Sequence, residues 1–329
     1  MKDDKKTSQQ SSIDVKKVVL EAEKRIRPYI RETPLEFSPY LSKKGKCKVY
    51  LKMENIQLTR SFKARGAMNK ILSLPKGTEI ITASSGNHGL AVAYTLSKLG
   101  GTGTIYLPTA TAPVKIEKLR NYDITLDFHG SDSVDAEIFA KETAERDKKV
   151  FISPYNDLEI IGGQGTIAIE LTRQLAEIDV VLVTIGGGGL ISGIAGYLKE
   201  LNPAVEIVGC LPRNSPVMYE SIKAGKIVDM ESKPTLSDGS AGGIEPNAIT
   251  FDLCQRYVDH YILVNEEEIA HAILLMLEEH NMVVEGAAGV TVAAYLKEMD
   301  HFEGKKVVLI ICGGNISIQQ LKEIICNRS

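Results

Sequence analysis

Several things the chain lacks narrow its function before any motif is considered. No segment approaches the roughly 18 unbroken apolar residues of a membrane span. The opening stretch, MKDDKKTSQQSS, is polar throughout and has no apolar signal-peptide core. Large charge of one sign is missing too: 39 Lys and Arg against 42 Asp and Glu leave a net −3, which offers neither a nucleic-acid surface nor a polybasic membrane contact. The five cysteines (Cys47, Cys210, Cys254, Cys312, Cys326) are odd in number, widely spaced and free of CxxC pairs, so neither a disulfide framework nor a zinc cluster is expected. The cytoplasm is the expected location. There is no internal repeat and no low-complexity linker.

What is present is the balance of a globular protein, 43% hydrophobic and 25% charged over 329 residues. Residues 1–12 offer nothing apolar to bury and read as a disordered tail. Beyond them, short β-rich runs alternate with helical patterns. Strands are predicted at Val49–Met53, Glu79–Ala83, Thr104–Leu107, Ile124–Phe128, Val150–Ser153, Val180–Ile185, Val205–Cys210 and Val307–Cys312. Several are continuous apolar runs, as in strands covered on both faces. Helical periodicity fills the gaps at Leu90–Leu99, Val134–Arg146, Thr166–Leu175, Glu266–Glu279 and Val290–Met299. The alternation predicts an α/β fold with mostly parallel sheets.

Ligands of such sheets collect at the carboxyl ends of strands. After Val181–Ile185 come Gly186, Gly187, Gly188 and Gly189, then a helix. A tight turn needs one or two glycines; four let backbone N–H groups approach an anion at a helix start. The run is not GxGxxG, no ribose-binding acid follows, and the Gly-Lys-Ser/Thr of a P-loop is missing, so a lone phosphate is the expected guest. After Ile80–Ala83, the run Ser84–Ser85–Gly86–Asn87–His88–Gly89 suits a carboxylate; a plain N-cap at Ser84 or Ser85 and a packing role for His88 are the alternatives. In Ser61–Phe62–Lys63–Ala64–Arg65–Gly66, a lysine at a helix start is either solvated or, with its pKa lowered by the dipole, fit to form an imine or abstract a proton. Spacing leaves both open.

Together with Cys312–Gly313–Gly314–Asn315, these segments resemble the fold-type II pyridoxal-phosphate family, in its serine/threonine dehydratase and serine racemase branch, from Arg25–Ile30 and Thr33–Pro34–Leu35 to Asn315. The resemblance implies a two-domain, tryptophan synthase β-like α/β fold. A small domain of about residues 51–155 would be inserted into a large cofactor-binding domain of residues 13–50 and 156–329. It implies pyridoxal 5'-phosphate held as an imine on Lys63, with Phe62 beside the ring, Asn87 on the ring 3-hydroxyl and Gly186–Gly189 on the phosphate. Gly239 and Glu285 would line the cofactor pocket, and Ser84, Ser85, Asn87 and His88 the substrate site. Cys312 replaces the usual serine or threonine opposite the pyridine nitrogen, a weak partner that would favour loss of a β-hydroxyl over reprotonation. The implied reaction is dehydration and deamination of L-threonine or L-serine to a 2-oxo acid and ammonia, with freed Lys63 taking the α-proton. A homodimer is implied as well. Ser85, alanine in many pure dehydratases, permits a serine or aspartate racemase with side dehydratase activity. A non-catalytic cofactor or amino-acid binding protein is the alternative of another class, against which the intact Lys63 stands.

Two departures from the family pattern stand out. Arg60 replaces the glycine of Thr-Gly-Ser-Phe-Lys, and would either point to solvent or select an acidic or larger substrate. Leu211 stands where some racemase-branch relatives place a metal-binding glutamate, so no divalent metal is expected.

Overall fold

The computed structural model describes residues 13–326; the tail expected at residues 1–12 lies outside the described residues. Ten strands follow in chain order: β1 (Leu35–Phe37), β2 (Lys48–Lys52), β3 (Ile80–Ala83), β4 (Gly103–Leu107), β5 (Thr125–Phe128), β6 (Val150–Phe151), β7 (Val180–Thr184), β8 (Glu206–Pro212), β9 (His260–Val264) and β10 (Lys306–Ile310). They form a six-stranded sheet of order β1-β2-β10-β7-β8-β9 and a four-stranded sheet of order β5-β4-β3-β6. Every pairing is parallel except that of the edge strand β1 with β2. The fold is thus α/β with two mostly parallel sheets.

All five residues of β7 are buried, which explains why an unbroken Val-Val-Leu-Val-Thr run suits this strand. The four-stranded sheet uses residues 80–151, and the six-stranded sheet uses residues up to 52 and from 180 onward. Leu51 and Lys52 pair with Leu309 and Ile310, so the expected boundary between residues 50 and 51 falls inside β2. In the four-stranded sheet, helix Asn87–Leu99 connects β3 to β4. It ends on Gly100 at φ +66°, whose N–H donates to Leu96 O, as its Gly-Gly terminus predicts.

Helix Leu158–Gln174 packs against helices Val15–Ile26, Lys63–Ser73 and Gly189–Leu201. The sequence predicts this helix only from Thr166; it starts at Leu158 and takes in Gly162, Gly163 and Gly165. These glycines are contact points: a Cβ on Gly163 would lie 2.6 Å from Arg65 O and 2.7 Å from Gly66 Cα. The helix carrying Lys63 can approach this closely only against a bare backbone.

Behind that contact lies a buried ionic cluster. Lys52, Glu54, Arg65 and Glu170 are all fully buried. Arg65 donates to Glu54 Oε1 and Oε2 at 2.7 and 2.8 Å and to Glu170 Oε1 and Oε2 at 2.7 and 2.9 Å; Lys52 Nζ donates to Glu170 Oε2 at 2.6 Å. Buried charges are tolerated only when paired and hydrogen-bonded in this way. The cluster ties the first turn of the Lys63 helix to β2 and to helix Leu158–Gln174. Among the described residues no helix is long and apolar enough to cross a membrane.

Candidate active site

The turn that delivers Lys63 is pinned to the segment leaving β10. Phe62 N donates to Cys312 O at 3.1 Å, Gly314 N donates to Arg60 O at 2.9 Å, and Ser61 pairs with Gly313 as an isolated antiparallel bridge. Since β10 and β7 are adjacent and parallel, the turn, Cys312 and Gly186–Gly189 gather at the carboxyl ends of these central strands. The four-stranded sheet supplies the facing wall through the Ser84–His88 segment after β3.

Two adjoining cavities of about 280 and 370 Å³ occupy this space. The four glycines, Phe62 and Cys312 line the first. Ser84, Ser85 and His88 line the second. Lys63, Asn87, Gly239 and Glu285 border both, so Lys63 stands at their junction. Its Nζ donates to Pro154 O at 2.8 Å and lies 5.2 Å from the Phe62 ring centroid. Burial lowers its pKa to about 8, outweighing the attraction of neighbours such as Glu285. The shift the sequence reading assigned to the helix dipole thus has desolvation as its main cause.

Gly188, at φ +87°, precedes helix Gly189–Leu201, and no side chain caps that helix. Its first N–H groups are therefore open to an anion. The glycines have a second task that the sequence did not disclose. A Cβ on Gly187 would meet the Tyr155 ring at 2.3–2.6 Å, and Tyr155 OH accepts from Glu245 N at 2.8 Å. The Tyr155 ring is thus seated against the loop.

Helix Asn87–Leu99 also starts without a side-chain cap: Ser84 Oγ accepts instead from Gly86 N at 3.2 Å, and the N-cap position is Gly86. Neither serine is spent as the plain N-cap of that helix. His88 is buried and its Nε2 lies 3.1 Å from Ile152 O. Burial and the nearby Lys63 lower its pKa to about 3, against that hydrogen bond. The ring is neutral, and a carbonyl partner requires the proton on Nε2, leaving Nδ1 as an acceptor. The imidazole therefore has no spare proton for a substrate carboxylate.

Glu285 is buried beside Lys63. Burial raises its pKa, opposed by hydrogen bonds from Asn87 Nδ2 (2.8 and 3.0 Å) and Asn315 N (3.0 Å). Burial likewise holds the Cys312 thiol well above its ordinary pKa, so it is neutral. Arg60 is exposed and lines neither cavity, which favours the solvent-pointing alternative over a substrate-selecting one. It sits at φ +60°, the conformation that explains why a glycine is usual there. Leu211 is buried within β8. Among the described residues, no group of three or more His, Cys, Asp and Glu gathers as metal ligands would.

The sequence reading missed Pro154 and Tyr155, and the far wall formed by Ser133 and Glu137, which border both cavities, and by Lys115 and Lys118 in the second. Helices Pro113–Arg120 and Ser133–Arg146 bring the last four in, and no local pattern marks them.

An amine of lowered pKa, an uncapped helix start behind a glycine loop and a neutral thiol near that amine form a donor set suited to an aldehyde carrying a phosphate. A family model described as pyridoxal-phosphate dependent enzyme matches residues 26–313. The chain is 41% identical over 310 residues to an L-threonine ammonia-lyase of Thermotoga maritima, covering 93% of this chain and 77% of that one. Two solved structures are similar throughout. The processed form of threonine deaminase isoform 2 from Solanum lycopersicum gives a TM-score of 0.91 at 30% identity, over 95% of this chain and 88% of that one. Maize serine racemase gives 0.88 at 31%, over 94% and 96%.

Proposed function

This chain belongs to the pyridoxal-phosphate dependent enzyme family, and from that premise we propose that it is an ammonia-lyase acting on a small β-hydroxy-amino acid of the L-threonine or L-serine type. The observation that carries the reading is the Lys63 amine, desolvated to a pKa of about 8, at the junction of a glycine-walled cavity and a Ser84–His88-walled one. The 41% identity to a threonine ammonia-lyase supports the same reaction.

Pyridoxal phosphate, when bound, supplies the electron sink that lets a proton leave the substrate α-carbon. Lys63 would hold its aldehyde carbon, Gly186–Gly189 its phosphate and Asn87 a ring oxygen. The uncapped start of helix Asn87–Leu99, with the Ser84 hydroxyl, would orient the substrate carboxylate. Lys63 would be the base that takes the α-proton. The β-hydroxyl would leave with a proton, so that the α-hydrogen and the hydroxyl are lost together as one water. Cys312, a neutral thiol, offers no negative charge to keep a ring nitrogen protonated, which favours this departure over return of the proton to carbon. The unsaturated amine released then takes up water and yields a 2-oxo acid and ammonia.

Racemisation is the second reading, favoured by Ser85, whose hydroxyl shares the second cavity with Lys63, and by the likeness to maize serine racemase. The proposal includes a homodimer, a cytoplasmic location and a division into a small domain around the four-stranded sheet and a large one around the six-stranded sheet. Incubation with L-threonine, L-serine and 3-hydroxyaspartate, with chiral detection, tests it. A 2-oxo acid and ammonia in equal amounts support the lyase; D-isomer as main product would replace it with the racemase. Ser85→Ala should abolish any D-isomer and spare elimination.

A further inference from the structure

Asn315 ends a motif singled out in the sequence but has no role in the chemistry above. It joins three separate parts of the site. Its Nδ2 donates to Thr59 O at 2.9 Å and to Asn87 Oδ1 at 2.8 Å, and its backbone N donates to Glu285 Oε2 at 3.0 Å. Thr59 lies four residues before Lys63, Asn87 opens the helix after β3, and Glu285 precedes helix Gly286–Lys297.

The two ends of an asparagine amide have nearly the same shape, so only the partners decide which faces a ligand. Here the decision passes along a chain of bonds. A backbone carbonyl can only accept, so Thr59 O fixes the nitrogen end of the Asn315 amide. That nitrogen can only donate, so it fixes Oδ1 of Asn87. Asn87 Nδ2 is then left facing Glu285, at 2.8 and 3.0 Å from its two oxygens. A bond shared between two oxygens of one carboxylate engages one Nδ2 hydrogen and leaves the other for the cavity, which Asn87 borders beside Lys63.

We propose that Asn315 is a positioning residue that acts through Asn87, locking its amide so that it presents a hydrogen-bond donor, never a carbonyl, to an oxygen of the cofactor ring. The proposal rests on the reading of the cavity as a pyridoxal-phosphate site. It ties the donor to the same turn that holds Lys63, so the two groups that grip the ring keep one relative placement.

The test uses the cofactor-loaded protein with Asn315→Ala and Asn315→Asp, alone and combined with Asn87→Ala. The readouts are the visible absorbance of the bound cofactor, kcat and KM for L-threonine, and melting temperature. Asn315→Asp should be the more damaging, because a carboxylate repels both Thr59 O and Asn87 Oδ1 and turns the Asn87 amide over. The expected loss in kcat is about tenfold to a hundredfold, the usual scale for partners that orient a ligating side chain. KM should change less than about threefold, and the absorbance band should shift. Adding either change to Asn87→Ala should cost nothing further, since the residue acted upon is gone. Losses that add, an unchanged absorbance band, or a kcat loss explained by lower melting temperature would each overturn the proposal. Unaltered protein that forms no borohydride-stable adduct would remove the cofactor reading itself, and is told apart because it precedes any substitution.

Discussion

Replacing Glu170 by glutamine perturbs the buried cluster at its centre while keeping shape and volume. Glu170 Oε1 accepts from Arg27 Nη2 and Arg65 Nη1, each at 2.7 Å. Its Oε2 accepts from Lys52 Nζ (2.6 Å), Arg65 Nη2 (2.9 Å) and Thr33 N (3.2 Å). Whichever oxygen becomes an amide nitrogen, a donor then faces at least two donors, and Arg65 and Lys52 are left sharing Glu54. Removing one partner of a buried ionic group costs about 3–5 kcal/mol. The acid–base behaviour of Glu170 points in the same direction. Burial raises its pKa, but the charges and hydrogen bonds of Arg65 and Lys52 outweigh burial and hold it below the ordinary carboxylate range. A depressed carboxylate contributes stability that is fully present above the unfolded value and is lost as pH falls through the folded one. Thermal unfolding of Glu170→Gln should therefore start roughly 4–7 °C lower at pH 7. As pH falls below the ordinary carboxylate range, the gap to the unaltered protein should narrow. A shift at pH 7 under about 2 °C, or a gap that does not change with pH, would refute the cluster's role.

Arg60→Gly should stabilise the protein by about 0.5–1 kcal/mol, since relief of a left-handed non-glycine residue exceeds the added chain entropy; chemical denaturation measures it, and substrate preference should not change. Gly187→Ala should weaken cofactor binding by about fivefold or more, because overpacking against Tyr155 costs at least about 1 kcal/mol; an absorbance titration gives the affinity, and an unchanged value would contradict the packing described here. The rate at which cofactor-free protein captures pyridoxal phosphate should climb as pH rises through about 8, where Lys63 loses its proton; stopped-flow absorbance reads it, and a midpoint above 10 would mean that burial does not depress this amine.

The parallel strands were legible because burial on both faces leaves an unbroken apolar signature, as in Val180–Thr184. The unflagged strands differ. β1 is three residues at an edge, too short to show a period, and β9 begins with His260 and Tyr261, both only half-buried. Lys63, Asn87 and the four glycines, which the sequence singled out, do line the cavity, because each follows closely on the end of a strand. Glu137 and Lys115 were not singled out, because only the packing of the small-domain helices brings them to the cavities. Glu170 and Arg65 offered a signal that went unused: each is a charge among apolar and small residues, Ile-Ala-Ile-Glu-Leu and Lys-Ala-Arg-Gly-Ala. A charge in such a setting has to find its partner inside the protein.

Borohydride reduction of protein loaded with pyridoxal phosphate, followed by peptide mass mapping, tests the central claim most directly. A stable phosphopyridoxyl group on Lys63, absent from Lys63→Ala, is the predicted result. Reduction that labels a different lysine, or none, would contradict the account.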